Sequence, residues 1–88
     1  MANSSHLLDV ELLCSPSLNL PNYKGKALAV SSINKLGRFD ILPFHTNFIT
    51  LIFNELTIIL PNKKKKRYEF KQGVLEVNKN KVKIFIGV

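Results

Sequence analysis

The fold of this chain is decided by its most apolar stretch, which reads FITLIFNELTIIL over residues 48–60. β-branched and aromatic residues dominate it, and such residues favour strands. Only Asn54 and Glu55 interrupt it, and two residues are enough for a tight hairpin turn. The stretch therefore predicts two consecutive strands, 49–53 and 56–60, joined by a hairpin. Because both strands are apolar on both faces, one face must form core and the other must be covered by a second sheet or by a partner.

The segments before this stretch continue the pattern of strands. Apolar side chains alternate with acidic ones over residues 8–14, which is the period of a half-buried strand. Two prolines and two asparagines indicate a loop over 15–22. A second strand is predicted from Tyr23 to about Ile33, and residues 34–37 predict a turn in which Gly37 adopts a positive φ.

The C-terminal third supplies the remaining strands. Residues 62–66 predict a turn, and 67–71 alternate cleanly. Gln72-Gly73 indicates a bend or a bulge, and 74–77 with 82–86 predict a last hairpin pair. The whole pattern predicts an all-β fold, a small sandwich or flattened barrel of about seven or eight mostly antiparallel strands.

Length and composition limit the chain to one small domain. Its 88 residues suffice for a single core, so we expect a domain over residues 7–88 and a flexible terminus over 1–6. Cys14 is the only cysteine, which excludes a disulfide framework and a zinc quartet. Residues 1–6 lack the pattern of a signal peptide, and the apolar stretch is too short to span a bilayer as a helix. We expect the isolated chain to be soluble.

The chain is basic, with a formal net charge of +7. Four lysines at 63–66 and Arg67 form its densest cluster. One interpretation is a small basic β-barrel that binds nucleic acid. The other is a solvated hairpin tip that keeps an edge from pairing with other chains. We favour the tip, because the flanking strands lack the aromatic ladder of single-strand binding platforms, and Tyr68 with Phe70 is more typical of core.

No arrangement of residues indicates catalysis. The two histidines, His6 and His45, have no second ligand at metal spacing. Asp40 lies five residues from His45 across Pro43 and equally suits a role in binding backbone amides of the turn. There is no nucleophile, metal or phosphate motif, so we expect a chain that is not an enzyme by itself and that holds no cofactor.

Three segments, in order, resemble the amino-terminal β-sandwich of the epsilon subunit of rotary ATP synthases, whose mitochondrial counterpart is called delta. Residues 10–27 resemble its first strand, proline-containing turn and aromatic-x-Gly opening. Residues 37–45, GRFDILPFH, resemble its glycine-containing loop and Ile-x-Pro-x-His stretch, and they continue into the apolar strand at 48–52. Residues 73–85 resemble its Gly-hydrophobic-Leu-Glu-Val-x-x-x-x-Val stretch. Together these segments cover nearly the whole chain.

The resemblance implies a structural subunit of the central rotor stalk in proton- or sodium-driven ATP synthesis. In that family the sandwich bridges the gamma subunit and the loops of the membrane-embedded c-ring. The matching positions imply a c-ring contact at Lys35, Leu36, Gly37 and Arg38, and a gamma contact at Phe44, His45 and Thr46. The resemblance further implies no nucleotide site, no nucleic-acid partner, and membrane association only through the complex, at the cytoplasmic face.

Two departures from the family pattern affect these expectations. Family members usually continue into a two-helix hairpin that regulates ATP hydrolysis, whereas this sequence stops at Val88, so we expect the regulatory helices to be absent. Bacterial relatives often carry an acidic residue at the position of Arg38, where it faces basic c-ring loops. Like charges juxtaposed at an interface cost on the order of several kcal/mol, so Arg38 conflicts with a contact to a basic loop.

Overall fold

A computed structural model describes residues 7–88, so the predicted flexible terminus with His6 lies outside the described residues. The described part contains seven strands and one 3-10 turn at Pro16–Leu18. The strands are β1 Leu8–Cys14, β2 Tyr23–Ala27, β3 Ala29–Asn34, β4 Gly37–Ile41, β5 Phe48–Ile59, β6 Lys65–Asn78 and β7 Lys81–Ile86. Within residues 7–88 no helix is long and apolar enough to cross a membrane. The prediction of an all-β fold is confirmed.

The strands form one sheet in the order β2-β1-β7-β6-β5-β3-β4, in which only the β1–β7 pair is parallel. The two longest strands, β5 and β6, take part in both layers of a sandwich. We call the layer of β2, β1, β7, the second half of β6 and the first half of β5 the first layer. The second layer consists of the first half of β6, the second half of β5, β3 and β4. Two shared strands therefore hold the two layers together.

The predicted hairpin at Asn54-Glu55 is wrong. Residues 48–59 form one continuous strand, and both of its halves pair with β6. Asn54 has a φ of 74°, and this left-handed residue bends β5 where it passes from the first layer to the second. Asparagine tolerates the left-handed conformation in bends as well as in tight turns. The sequence therefore locates the change of backbone direction correctly, but the change is a bend within one strand and not a hairpin turn.

A matching irregularity lies in β6. Two steps along β5, from Phe53 to Glu55, correspond to three steps along β6, from Gln72 to Glu69. The extra residue of β6 reverses the side that faces the core, so that even-numbered residues are buried before it and odd-numbered ones after it. The sequence predicts a bend or bulge at Gln72-Gly73, but both residues keep a regular register with β5, and the irregularity lies just before them, between Glu69 and Gln72. The strand crosses between the layers there without ending.

The predicted second strand, Tyr23 to about Ile33, divides into β2 and β3. Ala27 at the end of β2 pairs with Leu8 in the first layer, whereas Ala29 at the start of β3 pairs with Ile59 in the second. The chain changes layer at the single residue Leu28 between them, so one run of strand-forming sequence serves two layers.

The core fills the space between the layers. Its largest fully buried members come from strands of both layers: Leu8, Leu12, Ile41, Ile52, Leu56, Ile58, Leu75 and Ile86. Burying each such side chain contributes about 1.5–3 kcal/mol. Tyr68 is buried and Phe70 packs against the core, which confirms that these two aromatics belong to the core.

Candidate functional site

The β3–β4 turn presents the predicted c-ring contact at a tight, ordered tip. Asn34 pairs with Gly37, which leaves Lys35 and Leu36 as the two loop residues. The Asn34 Oδ1 accepts a hydrogen bond of 2.9 Å from the Leu36 backbone N–H, and Gly37 has a φ of 120°, as the sequence predicts. Leu36 is 97% exposed. The turn therefore holds one leucine side chain almost entirely in solvent on a fixed backbone.

Arg38, the last residue of this group, is bound to its own domain. Its Nη2 lies 2.5 Å from Oε2 of Glu55, and Arg67 donates to the other oxygen of Glu55 at 2.8 Å. The hydrogen bond from Arg38 and the positive charges of Arg38 and Arg67 lower the pKa of the Glu55 carboxyl against the opposing effect of its desolvation. Glu55 thus links β4 to β5 and β6 and balances the charge of Arg38.

The predicted gamma contact lies on the loop that follows β4, at the opposite end of that strand from the turn. The Phe44 backbone N–H donates to Oδ1 of Asn80 at 2.6 Å, and the Lys79 N–H donates to Oδ1 of Asn47 at 3.0 Å. These two bonds fasten the loop to the β6–β7 turn. Phe44 has a φ of 68° and is 68% exposed, so the loop displays an aromatic ring on a fixed backbone.

The ring of His45 lies at the end of a chain of three neighbouring aromatic rings. Its ring lies 5.1 Å from the ring of Phe48, which in turn lies 6.0 Å from the ring of Phe39. Its Nδ1 is 2.8 Å from the carbonyl oxygen of Thr46. Because a carbonyl only accepts hydrogen bonds, Nδ1 carries a proton and Nε2 is the ring atom left for a partner. Thr46 itself is exposed beside it.

The structure separates the residues that a catalytic interpretation would need together. Asp40 accepts a hydrogen bond of 2.6 Å from the Ser31 hydroxyl. Among residues 7–88 no hydrogen bond joins its carboxylate to His45 or to a backbone amide of the turn. A depression of about 380 Å³ on the first layer does not include His45; it is lined by four lysines, two carboxylates, two valines and a glycine: Lys24, Lys26, Lys81, Lys83, Asp9, Glu11, Val10, Val82 and Gly25. Among residues 7–88 no group of three or more His, Cys, Asp or Glu side chains is placed to hold a metal ion.

The basic cluster lies at the tip between β5 and β6. Lys63 has a φ of 72° in the turn, and Lys65 and Lys66 begin β6. This half of β6 pairs with β5 alone, so the lysines line a free edge of the second layer. Lys66 also lies 5.8 Å from the centre of the Tyr23 ring. Position and exposure agree with the solvated tip that protects an edge.

Sequence reasoning missed the residues that fix these two surfaces, Glu55, Asn47 and Asn80. Each acts on a residue far away in the sequence, and asparagines near turns are common enough that nothing distinguishes these two. The pairing of Arg38 with Glu55 was detectable only through the register of β4, β3 and β5.

Comparison with solved structures identifies similar folds in two mitochondrial assemblies. A chain in the Euglena gracilis mitochondrial ATP synthase structure, OSCP/F1/c-ring in rotational state 1, is 17% identical, with a TM-score of 0.81 over 97% of this chain and 53% of that one. A chain in the Tetrahymena thermophila mitochondrial ATP synthase central stalk/c-ring structure is 13% identical, with a TM-score of 0.72 over 98% of this chain and 67% of that one. At these identities the likeness shows the fold, and this chain spans about half the length of the Euglena chain.

No curated protein sequence matches the chain. The family model of the ATP synthase delta/epsilon chain, beta-sandwich domain, matches residues 17–87. That range contains all of β2 to β7 and both predicted contact surfaces. The chain therefore belongs to the family of the ATP synthase delta/epsilon chain, beta-sandwich domain.

Proposed function

We propose that this chain is a central-stalk subunit of a rotary proton- or sodium-translocating ATP synthase and joins the gamma subunit to the c-ring. The observation that carries this proposal is the family match over residues 17–87. The delta/epsilon chain is a non-catalytic subunit of the central stalk, so the chain is not an enzyme by itself. Its contribution is mechanical, since a rigid domain between two partners transmits rotation.

The β3–β4 turn is the proposed contact with the c-ring. Support comes from its shape: a two-residue tip, fixed by Gly37 and by the Asn34 side chain, projects Leu36 into solvent. A projecting apolar side chain on an ordered backbone loses little conformational entropy on docking. Lys35 adds a positive charge at the same tip.

The loop of Phe44, His45 and Thr46 is the proposed contact with gamma. Support comes from the two asparagine side chains that fasten this loop to the β6–β7 turn, because a preorganised loop loses less conformational entropy on binding. In this arrangement β4 separates the two contacts as a rigid spacer. We further propose that the chain is a peripheral part of the membrane complex, on its cytoplasmic face, and meets the membrane only through its partners.

The test is co-purification of the tagged chain with gamma and the c-ring from the same source. We expect stable association, weakened at least tenfold for gamma by Phe44→Glu or His45→Glu, and for the c-ring by Leu36→Glu. Thr57→Glu is the matched control, because it adds the same charge on the outer face of the second layer, directly opposite Arg67 in the register. Absence of any association between the unsubstituted chain and either partner would overturn the proposal.

A further inference from the structure

The first half of β6 has a strand edge that no other strand covers. From Lys65 to Glu69, β6 pairs with β5 on one side only, because β7 pairs with residues 73–78. Among residues 7–88 no backbone hydrogen bond from outside β5 reaches Lys65, Arg67 or Glu69. We call residues 65–69 the open edge.

Hydrogen bonds on the far side of β5 show which backbone groups of the open edge are unpaired. The carbonyl oxygen of Ile59 accepts a bond of 2.7 Å from the Leu28 N–H, and that of Glu55 accepts one of 2.7 Å from the Ser32 hydroxyl. Both donors lie on the β3 side of β5. In an antiparallel ladder the N–H and C=O of one residue point to the same side, so the odd-numbered residues from 55 to 59 bond toward β3 and the even-numbered ones bond to β6.

The register transfers this alternation to β6. The partners of the even-numbered residues of β5 are Lys66 and Tyr68, so these two residues bond to β5. Lys65, Arg67 and Glu69 therefore direct their N–H and C=O groups away from β5. Three donors and three acceptors at alternate residues form the template with which an added strand pairs.

The charge of the open edge determines which strand can pair with it. Residues 63–71 contain six basic residues and one acidic residue. The other two edges of the sheet are more balanced, since β4 carries Arg38 together with Asp40, and Lys26 of β2 is ion-paired with Asp9. Like charges directly opposite each other destabilise a strand pair, and opposite charges stabilise it. The open edge thus repels a second copy of itself and attracts an acidic strand.

The two sides of the open edge specify the side chains of that strand. Lys65 and Arg67 lie on the outer side of the second layer and are exposed. Tyr68 lies on the inner side and is buried, and Phe70 packs against the core. Residues directly opposite each other in a ladder place their side chains on the same side. The matching strand is therefore acidic at its outer positions and apolar at its inner ones.

We propose that the open edge binds an extended acidic segment of another protein chain, which adds one antiparallel strand to the second layer. The acidic residues of that segment form the main-chain hydrogen bonds with Lys65 and Arg67, and their carboxylates lie beside these two cations. The contact is separate from the β3–β4 turn and from the loop of Phe44, His45 and Thr46. It therefore goes beyond the proposed function and supplies a third point of attachment.

The test is a titration of the isotope-labelled chain with the blocked pentapeptide Thr-Val-Glu-Val-Glu, followed by NMR measurement of amide hydrogen exchange. In antiparallel pairing its glutamates lie opposite Arg67 and Lys65, and its threonine lies opposite Glu69. At saturating peptide we expect exchange of these three N–H groups to slow at least tenfold. The N–H groups of Lys66 and Tyr68 already bond to β5, so their exchange should change less than twofold.

Methylation of the peptide backbone provides the matched control. N-methylation of the two glutamates removes the N–H groups directed at the open edge and should abolish the protection. N-methylation of the two valines blocks only the other side of the peptide and should preserve it. In the chain itself, Lys65→Glu should weaken peptide binding at least tenfold, whereas Lys83→Glu, the same charge change on the first layer, should alter it less than twofold.

Four results of the titration would overturn the inference. Equal binding of the glutamate-methylated peptide would indicate charge attraction without strand pairing, and absence of protection would indicate no pairing at all. Protection that grows with protein concentration without peptide would indicate a second copy of the chain as the occupant. Stronger protection by a single-stranded thymidine oligonucleotide would indicate nucleic acid.

A second measurement concerns the natural partner. In the assembly that co-purifies with the tagged chain from its own source, hydrogen exchange of residues 65–69, followed by mass spectrometry, should be at least tenfold slower than in the isolated chain. Unchanged exchange there would overturn the inference but not the proposed function. Failure to associate with gamma and the c-ring would overturn the proposed function, and the peptide titration would still decide the inference.

Discussion

Asn54 allows the most direct test of the fold, because the continuous β5 depends on its backbone conformation. Its φ is 74°, and its side chain is exposed. Substitutions there change the backbone preference and little else. We expect Asn54→Gly to be nearly neutral, Asn54→Ala to destabilise the domain, and Asn54→Val to destabilise it most, since a β-branched residue at positive φ is a true outlier.

The magnitude follows from the cost of a left-handed residue, roughly 1–2 kcal/mol for an L-amino acid with a β-carbon. We assign about 1 kcal/mol to Asn54→Ala and about 2 kcal/mol to Asn54→Val. For a domain of this size 1 kcal/mol lowers Tm by about 4–8 °C, so the valine variant should melt about 8–16 °C below the unsubstituted chain. Asn78→Val is the matched control, because Asn78 is exposed at an extended position of β6, where valine is favoured.

The assay is thermal and urea unfolding followed by circular dichroism. A valine variant within about 0.5 kcal/mol of the unsubstituted chain, the usual range of neutral surface changes, would refute the reasoning.

The variant Glu55→Gly distinguishes a continuous β5 from two strands joined by a hairpin. It creates Asn-Gly, the strongest two-residue hairpin signal, so a hairpin would gain stability. The continuous strand should lose stability, because the ion pairs with Arg38 and Arg67 disappear.

Three further predictions concern other parts of the domain. A Cβ at Gly73 would lie 2.6 Å from the Phe85 carbonyl oxygen, so Gly73→Ala should cost about 1–3 kcal/mol by overpacking, and an unchanged urea midpoint would contradict it. The hydrogen bond from Arg38 lowers the pKa of Glu55, so the ionised carboxylate stabilises the folded state at neutral pH. This stabilisation is lost as the pH falls from the ordinary carboxyl pKa through the lowered pKa of Glu55 in the folded state. Glu55→Gln should therefore flatten the acid side of a plot of Tm against pH, and an unaltered slope below about pH 5 would speak against the pairing. The lysines at 63–66 should give no gel shift with nucleic acid even at low salt, whereas binding that falls steeply with added salt would restore the alternative of a basic nucleic-acid-binding barrel.

The strands themselves were predictable because their signal is local. Alternation over residues 8–14 predicts which side of β1 is buried, and the buried side chains Leu8, Val10 and Leu12 agree. The positive φ of Gly37 likewise follows from the residue type within its own turn. What failed was the continuity of β5, because Asn54 gives the same local signal in a bend and in a hairpin, and the strand's true partner, β6, is identified only by long-range pairing.

The candidate surfaces were predictable only in position. The resemblance selects the turn and the loop, but their rigidity comes from Asn47 and Asn80, whose partners lie more than thirty residues away. Leu13, Phe85, Val74 and Leu51 lie side by side on the outer face of the first layer, and each comes from a different strand. Each of those residues is an unremarkable outward-facing side chain until the register aligns them, so composition and periodicity could not reveal this row.

The electrostatic conflict raised by Arg38 is resolved within the domain. A lone cation at this position would repel a basic loop of the c-ring, but Arg38 belongs to a group of two arginines and two carboxylates joined by ion pairs, whose formal charges cancel. A basic partner loop would therefore meet a neutral group at Arg38. The exposed cation of the turn is instead Lys35, which forms no ion pair with any residue from 7 to 88. If the turn contacts the c-ring as proposed, Lys35→Glu should strengthen binding to a basic ring loop and weaken binding to an acidic one. Arg38→Gln leaves its group with one arginine and two carboxylates, a net charge of −1. It should therefore shift binding in the same direction as Lys35→Glu but by a smaller factor, because it changes the local charge by one unit and Lys35→Glu changes it by two.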